Sequence, residues 1–251
     1  MAVDEVLLAA AAKGAAPVLR FYQWRGPWLS LGYAQPFDAT SAAACRDAGV
    51  QVVRRVTGGR AVLHGADLTY GVAAAAAALP AGLDSSYRLL SDAILAALRE
   101  LGVAAERAAN AAPVAPKGEF DCFALPATDE ICAGGRKLAG SAQRRAGGAV
   151  LQHGSIRLEA DPPAAAAAVG LGRCATSLHE LGVPADAARE GLIRGLPAAL
   201  GRLLGVRFEA FALDPAAQRA AAAQARTLER EPLGRRTAGT LPPQEHRPEA
   251  R

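Results

Sequence analysis

The chain has 251 residues, of which 51% are hydrophobic and 21% are charged. This length can bury one substantial core, and the composition excludes a disordered or fibrous protein. A formal net charge of +4 is too weak and too scattered for a nucleic-acid-binding surface, although it favours acidic protein partners. No long apolar run and no secretory signal is found, so we predict a cytoplasmic protein that does not bind membranes.

The first half of the chain predicts helices and strands in alternation. Helices are expected at residues 2–12, from Asp38 as the cap to near Gly49, and at 85–101 with Asp84 or Ser85 as the cap. Strands are expected at residues 18–24, 28–33, 51–55, 61–64 and 67–73.

The second half begins with a predicted surface loop at 108–118. Short strands between glycine-rich turns are expected over 120–145, a strand at 148–159, a helix at 185–203 and a strand at 206–213. The remaining residues carry no apolar stripe. We therefore predict one catalytic domain over 1–213 and a C-terminal helix or solvated tail over 214–251. The domain is expected to be α+β, a mixed sheet with helices on one side.

The segment Arg54–His64, RRVTGGRAVLH, contains the first candidate site. Gly58 and Gly59 lie between two predicted strands and are compatible with a simple hairpin turn. Alternatively, they let backbone amides approach a ligand without interference from a Cβ atom, with arginines and His64 nearby. The segment is neither a Walker A nor a Rossmann fingerprint.

Two further side chains are candidates for chemistry. Lys137 is one of only three lysines in the chain, although lysine and arginine together number 28. It is either a solvated charge on an edge strand or a compact cation for a developing oxyanion. Cys122, in FDCFALP, is either a buried apolar residue or a nucleophile, with His64 and His153 as candidates to hold a proton.

The four cysteines, Cys45, Cys122, Cys132 and Cys174, form no CxxC pair. We therefore predict neither a disulfide framework nor a metal site, and expect Cys45, Cys132 and Cys174 to be small buried side chains.

An ordered set of motifs resembles the lipoate-protein ligase and octanoyltransferase family, in particular its cysteine-dependent octanoyltransferase branch. The resemblance covers roughly residues 2–213. It is carried by RRVTGGR, His64, LTY (68–70), CFALP (122–126), RKLAGSAQ (136–143) and QHGSI (152–156).

The resemblance implies a fold and a set of site residues. The fold is the biotin and lipoate ligase catalytic-domain type, with a largely antiparallel mixed sheet, flanking helices and a tunnel for an eight-carbon chain. Cys122 matches the acyl-accepting cysteine, and Lys137 matches the lysine that contacts the acyl carbonyl. The implied substrate-binding residues are Arg55, Thr57, Gly58, Gly59, Ala61, His64, His153 and Gly154.

The implied reaction moves octanoyl from octanoyl-acyl carrier protein to a lysine of a lipoyl domain, through a thioester on Cys122. The acceptor is the glycine cleavage H protein or a 2-oxoacid dehydrogenase E2 subunit. No cofactor and no ATP are implied, because exchange between two thioesters is nearly thermoneutral. We expect a monomer, since no large apolar stripe is left unassigned.

The chain departs from the family pattern at three places. Residues 1–5 align with an internal segment, so we expect either a misplaced start or a missing first edge strand. His64 is followed by Gly65 where much of the family has aspartate, which leaves the charge of the pocket open. Asp129 and Glu130 replace a more aromatic stretch.

Other functions stay open at this point. The same fold serves ATP-dependent lipoate-protein ligases, which need no cysteine nucleophile, and octanoyl amidotransferases that act between lipoyl domains. A non-catalytic module that binds an acyl carrier protein or a lipoyl domain, or a biotin ligase, fits the motifs less well.

Overall fold

The computed structural model of the protein describes residues 1–108, 130–170, 175–230 and 233. The helices in these ranges are α1 (Ala2–Ala11), α2 (Ala39–Asp47), α3 (Leu83–Glu100), α4 (Pro163–Ala168), α5 (Ala185–Leu204) and α6 (Pro215–Arg230). The strands are β1 (Val18–Tyr22), β2 (Trp28–Leu31), β3 (Gln51–Arg54), β4 (Val62–His64), β5 (Asp67–Ala75), β6 (Ala105–Arg107), β7 (Ile131–Ala133), β8 (Arg136–Ala146) and β9 (Ala149–Arg157). The predicted α+β class is confirmed.

The strands form two sheets. The larger has the order β1-β5-β9-β8-β7-β6, and all its neighbours are antiparallel. The smaller has the order β3-β2-β4, in which β2 is parallel to β3 and antiparallel to β4. The prediction of a mixed, largely antiparallel sheet is confirmed, but the strands are divided between two sheets.

Helices cover both faces of the larger sheet, so the prediction that they lie on one side was wrong. Alternate residues of β5 point to opposite faces. Leu68 and Val72 belong to a core cluster with the buried residues of α3 and α5. Ala73 packs instead with Leu7 and Leu8 of α1. The apolar residues of α1 therefore close the face on which β5 presents its odd-numbered residues.

The helix caps agree with the sequence at α2 and differ at α3. The Asp38 side chain accepts a hydrogen bond from the backbone N–H of Ser41 at 2.7 Å, as the N-cap prediction requires. At α3 the N-cap residue is Gly82, with φ of 87°, and it provides no side-chain bond. The predicted caps Asp84 and Ser85 lie inside the first turn.

The C-terminal third differs most from the sequence-based expectation. No strand forms at 206–213, where Val206 and Phe211 are exposed. Residues 215–230 form α6, which packs against α1 and buries Ala221, so this part of the predicted tail is not fully solvated. Helix α4 and the short strand β6 lie where the sequence indicated no element. Among the described residues, no helix is long and apolar enough to cross a membrane.

Candidate active site

A narrow cavity lies between the two sheets, where several predicted site residues meet. Its walls come from β2, the loop after β3, β4, β5, β8 and β9. The lining residues include Ser30, Arg55, Gly59, Val62, His64, Thr69, Gly140, Ser141, Ala142, His153, Gly154 and Ser155. The structure thus brings Arg55, Gly59, His64, His153 and Gly154 to one place.

The double glycine is part of a loop that Arg55 holds in place. β3 and β4 do not pair with each other, because β2 lies between them, so the hairpin interpretation was wrong. The guanidinium of Arg55 donates hydrogen bonds to the carbonyl oxygens of Ser30 (2.8 Å), Gly58 (2.8 Å) and Arg60 (2.6 Å). Arg55, predicted to bind substrate, thus donates to the backbone of the loop and of β2, and its Nη1 also lies 3.2 Å from the Ser30 hydroxyl.

Glycine is favoured at Gly59 by its conformation and required at the facing Gly32 by a close backbone neighbour. The φ of Gly59 is 87°, a value that favours glycine. A Cβ atom on the facing Gly32 would lie 1.7 Å from the Gly59 carbonyl oxygen. The loop therefore approaches the end of β2 more closely than any side chain would permit. Thr57 and Ala61 in the same loop are fully buried.

His64 is the centre of a buried hydrogen-bonded chain. Its Nδ1 lies 2.9 Å from Oδ2 of Asp67, and its Nε2 lies 2.8 Å from the hydroxyl of Ser30. The backbone N–H of Gly65 and the hydroxyl of Thr69 also donate to Asp67. Burial alone would raise the pKa of Asp67, but the charge and hydrogen bond of His64 lower its pKa below the ordinary value.

Asp67 supplies the carboxylate that the sequence lacks at Gly65. The aspartate expected directly after His64 is absent, yet a carboxylate reaches the imidazole from three residues farther along the chain. Trp24 covers the same imidazole, with ring centroids 4.5 Å apart and planes 20° apart. The indole N–H of Trp24 donates to the Thr69 hydroxyl at 2.9 Å, which joins it to Asp67.

His153 forms a second chain on the opposite wall. Its Nε2 lies 2.6 Å from the Thr57 hydroxyl and its Nδ1 lies 3.2 Å from Oδ2 of Asp4. Arg20 donates to the other oxygen of Asp4 at 2.6 Å. Burial lowers the pKa of His153, and Asp4 opposes this only in part. The neutral imidazole therefore donates to Asp4 and accepts from Thr57.

Gly154 lets β8, β9 and β5 approach each other beside the cavity. A Cβ atom there would lie 2.6 Å from Oγ of Ser141 and 2.6 Å from a ring carbon of Tyr70. These two side chains are hydrogen-bonded to each other at 2.7 Å. The predicted site position Gly154 is thus a position of close packing.

Lys137 is buried and ion-paired, so it is not a solvated edge charge. Only 1% of the residue is exposed, and its Nζ lies 2.5 Å from Oε1 of Glu130. Its backbone carbonyl accepts a hydrogen bond from Thr176. Lys137 is not among the described residues that line the cavity.

The cysteines divide into buried thiols and positions beyond the described residues. Cys45 packs in the core between α2 and the smaller sheet, and Cys132 is also buried. Burial raises the pKa of both thiols. Cys122 and Cys174 lie outside the described residues. In the described part of the chain no group of three His, Cys, Asp or Glu side chains could hold a metal ion.

The cavity is small and lies beside a larger groove. Its volume is about 40 Å³, whereas pockets for small molecules usually measure about 300–1,000 Å³. An apolar groove of about 670 Å³ lies between α2, β3 and α6, and Trp24 lines it. Because Trp24 stacks on His64, it forms part of the wall between the two spaces.

Sequence comparison identifies a family and several relatives that are named as octanoyltransferases. The family model described as lipoyl protein ligase A/B catalytic domain matches residues 1–187. Octanoyltransferase LipM of Moorella thermoacetica is 45% identical over 168 residues, which are 63% of this chain and 60% of that relative. Octanoyltransferase LipM of Kyrpidia tusciae is 39% identical over 233 residues, which are 81% of this chain and 83% of that relative. The chain thus spans less than two thirds of the Moorella relative.

Comparison with solved structures supports the predicted fold type. Ta0514 from T. acidophilum, solved with bound lipoic acid, superposes with a TM-score of 0.71 and 23% identity. The match covers 90% of this chain and 88% of that one. At this identity the likeness shows the fold alone.

Proposed function

Because the chain belongs to the lipoyl protein ligase A/B catalytic-domain family, we propose that it is an octanoyltransferase. The donor is octanoyl-acyl carrier protein and the acceptor is a lysine of a lipoyl domain, in the glycine cleavage H protein or an E2 subunit. The names of the Moorella and Kyrpidia relatives support octanoyl transfer. The reaction needs no cofactor.

The observation that carries the proposal is the convergence of two distant motifs on one cavity. Gly59 and His64 come from the double-glycine segment, and His153 and Gly154 come from β9. Backbone that a ligand can approach and imidazoles held beside it by hydrogen bonds suit a site for acyl transfer. The small cavity volume means that an eight-carbon chain enters only if the walls separate.

Cys122 is the proposed nucleophile. Its thiolate attacks the octanoyl thioester, a new C–S bond forms, and the thiolate of the carrier leaves. The lysine amine of the lipoyl domain then attacks the acyl-enzyme, so that a C–N bond forms and the Cys122 thiolate leaves. Amide formation from a thioester is downhill, which makes the second step effectively irreversible.

Lys137 is the proposed donor to the developing oxyanion. In the structure its ammonium is paired with Glu130, so this role requires the pair to open or to turn towards the substrate. Loss of one such donor typically lowers the rate by about 10²–10³. The cytoplasmic location and the monomeric state remain predictions.

The experiment that tests the proposal is intact-mass measurement after incubation with octanoyl-acyl carrier protein. We expect an adduct of one octanoyl group that hydroxylamine removes, because thioesters are sensitive to it. The adduct should be absent from Cys122→Ala and present in Cys45→Ala, a control that removes a buried thiol of the α2 core. Added lipoyl domain should then gain the group as a stable amide.

Two outcomes would contradict the proposal. An adduct that persists in Cys122→Ala would assign the nucleophile elsewhere. No adduct, together with modification of the lipoyl domain from free octanoate and ATP, would identify an ATP-dependent ligase instead.

A further inference from the structure

The hydrogen-bonded chain of Ser30, His64 and Asp67 has proton positions that follow from the groups around it. The Asp67 carboxylate, ionised and surrounded by donors, accepts from Gly65, Thr69 and the imidazole. Nδ1 of His64 therefore carries a proton, and Nε2 is the ring nitrogen that faces the Ser30 hydroxyl, 2.8 Å away. In the tautomer that can take up a proton, Nε2 accepts a hydrogen bond from this hydroxyl.

Arg55 agrees with this assignment. A guanidinium has donors only, and Nη1 of Arg55 lies 3.2 Å from Oγ of Ser30. Ser30 thus accepts from Arg55 and donates to His64. The oxygen of Ser30 lies between a fixed cation and a base, a setting that stabilises negative charge on that oxygen.

The hydrogen-bonded chain through His64 has one end at the cavity and the other at a buried carboxylate. Ser30, Arg55 and His64 all line the cavity. Asp67 is buried behind the imidazole and is not a lining residue. This is the order hydroxyl, imidazole and carboxylate in which a proton moves from the cavity inward while the carboxylate stabilises the resulting imidazolium.

The chain that contains His153 has the same groups but not the same access. Its hydroxyl belongs to Thr57, which is fully buried and is not a lining residue. Its carboxylate, Asp4, is already paired with Arg20. We therefore assign a structural role to that chain and a chemical role to the one that contains His64.

We infer that Ser30, His64 and Asp67 form a proton relay that removes the proton of the attacking amine during acyl transfer. The inference rests on the proposed transfer to a lysine. As the C–N bond forms, the amine proton passes to Oγ of Ser30 and the Ser30 proton passes to Nε2 of His64. The C–S bond then breaks, and the leaving thiolate takes the proton back from the imidazolium. Asp67 and Arg55 are positioning residues.

The relay predicts that its variants affect the loading of Cys122 and the transfer to the lipoyl domain to different extents. Thioester exchange needs a base only to form the Cys122 thiolate, whose proton can leave before the donor binds, whereas attack by an amine needs a base within the step itself. In His64→Gln the amide can accept a hydrogen bond but cannot take a proton. We expect this variant, and Ser30→Ala, to slow transfer to the lipoyl domain at least about tenfold more than they slow formation of the octanoyl adduct. Single-turnover transfer to the lipoyl domain should fall by about 10²–10⁴.

Asp67→Asn tests the positioning role, since an amide can donate to Nδ1 and so reverse the tautomer. We expect slower transfer with an unchanged affinity for the lipoyl domain. Ser86→Ala is the matched control, because it removes a buried hydroxyl of α3 that donates to the carbonyl of Gly82 and does not line the cavity. It should load and transfer as the wild type does.

The outcomes separate the relay from the reaction itself. If the wild type forms no amide, octanoyl transfer is wrong and the relay falls with it. If the wild type transfers and His64→Gln transfers within about threefold of it, the relay alone is wrong. Equal losses of loading and transfer in the variants would mean a structural role and would also overturn it.

Discussion

The ion pair between Lys137 and Glu130 makes a prediction about stability that is separate from catalysis. Both side chains are buried, and removal of one partner breaks an ion pair in the core. We expect Lys137→Met to lower the free energy of unfolding by about 3–5 kcal/mol. Urea denaturation measures this change.

The double variant Lys137→Met with Glu130→Gln provides the control. It should recover much of the loss, because both charges of the buried pair are then removed together. A single variant as stable as the wild type would contradict the burial of the pair and would favour a solvated lysine.

His153 predicts how stability depends on pH. Burial lowers its pKa below the ordinary 6.5, so the native ring stays neutral while the unfolded chain takes up a proton. The contribution of the neutral His153 ring to the free energy of unfolding should therefore be complete above about pH 6.5. The free energy of unfolding should fall as the pH drops through and below that value, by at most about 1.4 kcal/mol per pH unit. Urea unfolding between pH 8 and pH 5 measures the slope.

The matching variants are His153→Gln and His179→Gln, the latter at an exposed position. The slope below pH 6.5 should become shallower in His153→Gln. An unchanged slope in that variant would assign the pH dependence to other groups.

Single residues show where sequence reasoning stops. His64 and His153 could be picked out because histidine is rare in this chain, with four in all. Asp4 could not, because its partner His153 is 149 positions away and the pairing depends on how α1 crosses β9. Asp67 lies only three residues from His64, yet serves as its partner only because the turn at Gly65 brings the two side chains together.

Among the elements, the central strands of the larger sheet were predicted well. A segment whose strand would form only beside an adjacent strand was predicted poorly. Both central strands, β5 and β9, are buried along almost their whole length, and both were predicted from the sequence. Residues 206–213 have similar composition but find no adjacent strand, so their backbone groups stay outside both sheets. The division of β1–β5 between two sheets is likewise a matter of pairing, which composition does not encode.

Helix α5 predicts a clear contrast between two leucines. Leu192 is fully buried against α3 and the larger sheet, whereas Leu203 is 49% exposed. We expect Leu192→Ala to lower the free energy of unfolding by about 2–5 kcal/mol, because it leaves a cavity in the core. Leu203→Ala, measured in the same urea titration, should change it by about 0.5 kcal/mol or less. Similar losses in both would mean that α5 presents a different face to the core.

For the whole molecule, the family and the fold class could be predicted, and both are confirmed. Ordered motifs over most of the chain identify the family because each motif has to fit its own place in one shared fold. The position of Lys137 outside the cavity lining could not be predicted, since no sequence pattern shows that Glu130 would face it. The proposed roles of Cys122 and Lys137 remain predictions.

The hydrogen bonds of the two histidines differ in how far apart their partners lie along the chain. Asp67 lies three residues from His64 in sequence, so that contact closes a short loop. Thr57 and Asp4 lie 96 and 149 residues from His153. During synthesis the N-terminal helix therefore leaves the ribosome long before the strand that completes its buried polar contacts. Until β9 is made, Asp4 has its partner Arg20 but no imidazole to bind, so the buried polar contacts of this helix stay incomplete until late in synthesis.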